Sequence, residues 1–124
     1  MARRFSRRRL AQIDAGRILW IRAGRRTSHR FIGIWVVVVN GRVFVRSWSL
    51  KRRGWYRTLL EEPRGAVQIA DREITVRAVH RSERVKDAVD RAYLEKYNTR
   101  AAIKYSKDLV RAKSRDTTIE LIPC

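Results

Sequence analysis

A chain of 124 residues, 44% of them apolar, is long enough for one core and too apolar for a disordered polycation. No apolar stretch approaches the ~20 residues that cross a bilayer. The lone cysteine, Cys124, cannot form an internal disulfide, and two histidines make no metal set. The formal charge of +18 is the anomaly: such a field attracts polyanions, phosphorylated ligands or anionic membrane surfaces, unless it is only a solvated arginine-rich face.

The charge is unevenly spread. Residues 1–57 hold sixteen Lys/Arg and one acid, Asp14, a net of +15; residues 58–124 hold fourteen bases and eleven acids, a net of +3. The opening MARRFSRRRLAQIDAG has the arginine pair of a twin-arginine signal. Gln12, Asp14 and Arg17 interrupt any apolar segment behind it, so a mature, cytoplasmic N-terminus is expected.

The elements are expected in this order. Residues 6–15 form a short helix, with Ser6 as N-cap, Leu10 and Ile13 on one face and Gly16 as stop. Residues 17–22 form a strand, and Ala23 to Arg30 a loop. Residues 31–39 are apolar on both faces, Ile34, Val36 and Val38 on one and Trp35, Val37 and Val39 on the other, which predicts a central strand. Asn40-Gly41 predicts a type I′ turn into a return strand at 42–46, because both central residues of that turn need positive φ. In the return strand Val43, Val45 and Ser47 share a face. Phe44, Arg46 and Trp48 share the other, a mixture that suits a ligand wall or an interface.

Residues 47–57, SWSLKRRGWYR, put four cations, two serines and three aromatics into eleven positions. A short helix follows over 54–62, ended by Pro63. Residues 66–79 read as a second hairpin turning near Asp71-Arg72. The clearest helix is 82–97, with Ser82 as cap, a stripe of Val85, Ala88, Val89, Ala92 and Tyr93, and an Asp87–Arg91 pair on its flank. Residues 99–105 are irregular, Ser106 caps a turn to Arg111, and 117–122 form a last strand before Pro123. Six short strands with few helices predict a closed antiparallel barrel, mainly β, as a single domain over 1–124.

At residues 31–79 the chain resembles the split β-barrel flavoproteins. These include the pyridoxamine-phosphate-oxidase-like proteins and the deazaflavin-dependent, nitroreductase-like family. The latter's K-x-P-x-W-Y-x-N-L loop compares with Lys51-Arg52-Arg53-Gly54-Trp55-Tyr56-Arg57-Thr58-Leu59, which lacks the proline. FSRRRLAQIDAG, IWVVVVNGRVFVRS, GWYR, DAVDRAYLEKY and TTIELIP together resemble an uncharacterised bacterial family, domain of unknown function 2255.

The resemblance implies a split β-barrel of FMN-binding type with short helices packed on it, working as a homodimer. It also implies FMN or a deazaflavin as ligand, with Arg46, Ser47, Lys51, Arg52 and Arg53 as candidates for its phosphate. The chemistry agrees, since guanidinium forks, a Lys charge and hydroxyls all bind phosphate. Trp48 or Trp55 would stack on the ring, against the simpler reading that Trp55 and Tyr56 only anchor the short helix. His29 and His80 stand beside arginines with no carboxylate partner in sequence and are not expected to be catalytic.

Three functional expectations stand side by side. The first is a flavin- or deazaflavin-binding oxidoreductase whose cofactor does the chemistry. The second is a non-enzymatic basic barrel binding nucleic acid or another polyanion. The third is a structural dimer without a cofactor.

Overall fold

The computed structural model describes residues 4–25, 30–51, 54–81 and 83–124, leaving the side chain of Glu83 aside. The expected Ser82 cap and the site candidates His29, Arg52 and Arg53 lie outside the described residues. The elements are α1 (Arg7–Ala15), β1 (Leu19–Ala23), β2 (Ile32–Ile34), β3 (Val36–Val39), β4 (Arg42–Val45), α2 (Trp55–Glu61), β5 (Arg64–Ile69), β6 (Arg72–His80), α3 (Glu83–Lys96), α4 (Ile103–Leu109), α5 (Ala112–Arg115) and β7 (Ile119–Pro123). No helix among the described residues is long and apolar enough to cross a membrane.

All pairings are antiparallel, in the order β2-β1-β5-β6-β7-β4-β3. The two ends of this sheet, β2 and β3, are consecutive pieces of the 31–39 run, separated only by Trp35. That run therefore corrects the expectation of one central strand. It is a single bent strand whose first half pairs with β1 (Leu19 opposite Ile34) and whose second half pairs with β4 (Val36 opposite Val45). The bend brings the ends of the sheet together and makes a nearly closed barrel with seven strands rather than six.

The two faces of the run are as its alternation predicts. Ile34, Val36 and Val38 join the barrel interior with Leu19, Ile21, Val43, Val45, Val67, Ile69, Val76, Ile119 and Leu121. Phe5 and Ile13 from the α1 end, and Tyr56 and Leu59 from α2, complete this core. Trp35, Val37 and Val39 point outward with Phe44, under Val89 and Tyr93 of α3, Tyr97 just beyond it, and Ala102 and Leu109 around α4. Both hairpin turns use paired positive φ, at Asn40 and Gly41 and at Ala70 and Asp71. Ser6 caps α1 through its side chain, accepting from the Arg9 N–H at 3.2 Å.

At the bend the backbone leaves its ladder, and α3 supplies the missing partners. Tyr93 Oη donates to the Trp35 carbonyl at 3.2 Å, and the Val36 N–H donates to Tyr97 Oη at 3.0 Å. Lys96 Nζ donates to the Val36 carbonyl at 2.9 Å. The ring of Tyr97 stacks on Trp35, with centroids 4.0 Å apart and planes 2° from parallel. Burial pushes the Tyr97 hydroxyl up to about 12, and it pushes Tyr93 higher still, so both remain protonated at neutral pH.

Two further expectations change. Residues 103–109 are helical, and Ser106 is no cap: buried inside α4, it donates to the Tyr97 carbonyl at 2.8 Å. Asp87, expected to pair with Arg91, accepts from Arg115 Nη2 at 2.7 Å. On the outer face of β7, Glu120 accepts from Arg42 Nη2 and Arg81 Nε, each at 2.8 Å. Burial alone would raise the Glu120 carboxyl, but the bonds from Arg42 and Arg81 outweigh it and hold the pKa below its ordinary 4.5.

Tyr97→Phe removes the acceptor of a buried N–H and should cost about 1–3 kcal/mol of unfolding free energy, read by urea denaturation. Because Glu120 is depressed, its ionised form contributes stability above its ordinary 4.5, lost as pH falls through the folded value. Urea midpoints should therefore fall with acid in the wild type, whereas Glu120→Gln should start lower and lose less between about pH 6 and pH 3.

Candidate functional site

The stretch singled out by its composition begins where β4 ends. Several backbone N–H groups leaving the ladder are received by side chains. The Arg46 N–H donates to Tyr93 Oη at 3.0 Å, and the Ser47 N–H donates to Thr117 Oγ1 at 2.8 Å. Ser47 Oγ donates to the Ser49 carbonyl at 2.6 Å and accepts the Ser49 N–H at 3.1 Å. Ser49 Oγ then accepts the Lys51 N–H at 3.1 Å. Such local side-chain bonds hold a chain that has no strand partner. On the far side, the Gly54 N–H donates to the Lys51 carbonyl at 2.9 Å, and Gly54 opens α2.

Arg46 is turned into the fold. It is 1% exposed, and its guanidinium spans three parts of the fold. Nε donates to Thr118 Oγ1 at 2.9 Å, Nη2 to the Lys86 carbonyl at 2.9 Å, and Nη1 to the Leu109 carbonyl at 3.0 Å and to Asp90 Oδ1. Arg115 Nε lies 3.1 Å from the other oxygen of Asp90. A buried charge held by a carboxylate and two carbonyls leaves no fork free for phosphate. The face carrying Phe44 and Arg46, expected as a ligand wall, is packed interior beneath α3.

The other candidates divide. Ser47 is buried and its hydroxyl is used by Ser49. Lys51 is exposed, and Trp55 is half-buried against the barrel core, edge-on to Tyr56. Trp48 is 40% exposed and belongs to an aromatic cluster with Trp35 (centroids 5.1 Å apart) and Tyr105 (6.4 Å). Its Nε1 donates to the Tyr105 carbonyl at 3.2 Å. These separations are edge-to-face contact between rings. Lys104 Nζ stands 5.0 Å from the centre of the exposed Tyr105 ring.

His80 Nε2 lies 2.5 Å from the Asp116 carbonyl and 3.4 Å from Tyr56 Oη. The Asp116 carboxylate is turned to Lys86 Nζ at 2.9 Å, and that hydrogen bond lowers its pKa. His80 thus meets a carbonyl, not a carboxylate. Burial raises the Tyr56 hydroxyl above its ordinary value.

Two grooves formed by described residues matter here. One of about 350 Å³ lies between α1 and the β1–β5 pair, lined by Ile13, Ile18, Leu19, Trp20, Gln68 and Ile69 among others. One of about 290 Å³ lies on the outer sheet face, among Arg22, Arg25, Arg64 and Thr75. Sequence reasoning passed over the second because its arginines are scattered along the chain.

The seven-stranded bent barrel with α3 across it is a split β-barrel. Over residues 9–121 the chain belongs to the bacterial family described as uncharacterized protein conserved in bacteria, DUF2255. Its structure is similar to an F420-H2 dependent reductase, with a TM-score of 0.59 and 17% identity, covering 86% of this chain and 93% of that one. It is also similar to a FAD-binding protein from Mesorhizobium loti, with a TM-score of 0.56 and 12% identity, covering 99% and 91%. A third similar structure is a conserved hypothetical protein, Rv2991, from Mycobacterium tuberculosis, with a TM-score of 0.55 and 13% identity, covering 95% and 79%. No curated protein matches the chain in sequence.

Arg46→Met should destabilise the fold by about 3–5 kcal/mol by stranding Asp90 and two carbonyls, whereas Lys51→Gln should stay within about 0.5 kcal/mol of wild type in the same urea titration.

Proposed function

We propose that the protein binds a flavin or deazaflavin nucleotide at the end of the barrel where β4 passes into α2, and that it acts as an oxidoreductase. The observation that carries this reading is the ordered approach to that end. A chain of serine bonds from Ser47 to Lys51 leads out of β4 and delivers an exposed cation, Lys51, with the half-exposed Trp55 ring just beyond Gly54. A cation and an indole four residues apart in the chain suit a ligand that is both a phosphate and a flat ring. The fold is shared with an F420-H2 dependent reductase and with a FAD-binding protein.

In this reading Lys51, Arg52 and Arg53 take the phosphate, Trp55 takes the ring, and Arg46 and Ser47 hold the base of the loop from inside. The bound ring would supply hydride transfer, while the chain binds it and fixes its orientation. The reading includes a homodimer: Ile18 and Trp20, 44% and 49% exposed and packed over Gly33, are the apolar surface that a second copy would cover.

The absorption spectrum of protein purified at moderate salt, followed by fluorescence titration with FMN and with a deazaflavin, tests the proposal. Saturable quenching is expected, weakened roughly tenfold or more when Lys51, Arg52 and Arg53 are all replaced by Gln. A colourless protein that neither ligand quenches overturns it. In that case the Trp48–Tyr105 rings beside Lys104 favour the polyanion reading, whose signature is single-strand binding that falls steeply with salt.

A further inference from the structure

The register of the β5–β6 hairpin sets Arg64 directly opposite Arg77. Like charges facing each other across a ladder are destabilising. Both side chains are exposed, and neither has an acidic partner within ion-pair distance among the described residues. The pair is held in place from both sides. The Ala78 N–H donates to the Pro63 carbonyl at 2.8 Å, extending the ladder beyond Arg64.

A third cation is brought to the same end. Glu62 Oε2 accepts the Arg25 N–H at 3.2 Å. At Gly24, φ is +81° and an added Cβ would meet that same Glu62 oxygen at 2.8 Å. The corner is thus built on glycine and clasped by Glu62. Arg25 and Arg64 line both the groove of about 290 Å³, with Arg22, Gly65 and Thr75, and an adjoining one of about 310 Å³, with Glu61, Glu62 and Arg77. Arg22 is already matched, its two Nη atoms donating to Glu73 at 3.1 and 3.3 Å.

Three arginines, Arg25, Arg64 and Arg77, therefore line one groove, and the first two also line its neighbour. Glu61 and Glu62 bound the cluster on one side and the Arg22–Glu73 pair bounds it on the other. A long polyanion would have to cross those carboxylates, whereas a single compact dianion would not. We propose that Arg25, Arg64 and Arg77 form a binding site for a phosphate dianion, either inorganic phosphate or the terminal group of a phosphomonoester, held by charge-assisted forks with the Thr75 hydroxyl nearby. The site lies past the C-terminal end of α2, while Lys51 stands before its N-terminal end, so it is independent of the flavin reading.

Isothermal titration at constant ionic strength, set with chloride, tests the site with inorganic phosphate and with phenyl phosphate. A saturable site that persists in Lys51→Gln is expected, weakened roughly tenfold by Arg77→Gln or Arg64→Gln. Tighter binding of phenyl phosphate would identify a monoester as the ligand, and tighter binding of inorganic phosphate the free ion. Without phosphate, Arg77→Gln should unfold at higher urea than wild type because the facing charges are gone. Phosphate should raise the midpoint of the wild type more than that of the variant. The proposal is overturned if neither phosphate binds saturably, or if Lys51→Gln weakens binding as much as Arg77→Gln. It is also overturned if a single-stranded oligonucleotide binds through Arg77 and phosphate does not displace it.

Discussion

The molecule depends on closing a sheet with one strand that must serve both ends. The 31–39 run pairs with β1 before Trp35 and with β4 after it, so its backbone cannot stay in a ladder at the switch. Buried carbonyl and amide groups without partners are costly, and this need fixes the position of α3. Tyr93, Lys96 and Tyr97 occupy one end of that helix and reach three successive backbone groups, the Trp35 carbonyl and both polar groups of Val36. The stacked Trp35 and Tyr97 rings then shut that surface from water. The helix that lies over the barrel is part of its closure.

Arg46 extends the same logic to the next break in the sheet. β4 ends at Val45, and the chain must turn out of the barrel without stranding its polar groups. Tyr93 serves here a second time, its Oη accepting the Arg46 N–H while donating to Trp35. The Arg46 side chain meanwhile ties α3, the end of α4 and the approach to β7 to this one point. The cost of burying a guanidinium is offset because Asp90, itself held by Arg115, supplies the countercharge. The loop after β4 therefore starts from a rigid base, a requirement for any side chain beyond it that must be aimed at a ligand.

What the sequence revealed follows the range of the interactions. The Asn40-Gly41 turn, the Ser6 cap, the two faces of 31–39 and the apolar stripe of α3 all rest on neighbours within a few positions, and all stand in the structure. The bend falls at Trp35, two residues after Gly33 and on no proline, and its partners are about sixty residues away. Ser106 looked like a cap because serine favours helix starts, yet a buried carbonyl of Tyr97 claims its hydroxyl inside the helix. Arg46 is a phosphate candidate by the family resemblance. Its actual partners, Lys86, Asp90, Leu109 and Thr118, are at least forty positions away and carry no local signal.

The same distinction applies to the charge. Counting bases placed the field in residues 1–57, but several of those arginines are spent within the fold: Arg46 on Asp90, Arg42 on Glu120 and Arg22 on Glu73. Arg64 and Arg77 belong to the nearly balanced half, yet they face each other without an acid between them. Net charge along a sequence describes the long-range field that draws an anion in. Where the anion stops is decided by strand register, which can neutralise a rich segment and leave two arginines of a poor one face to face.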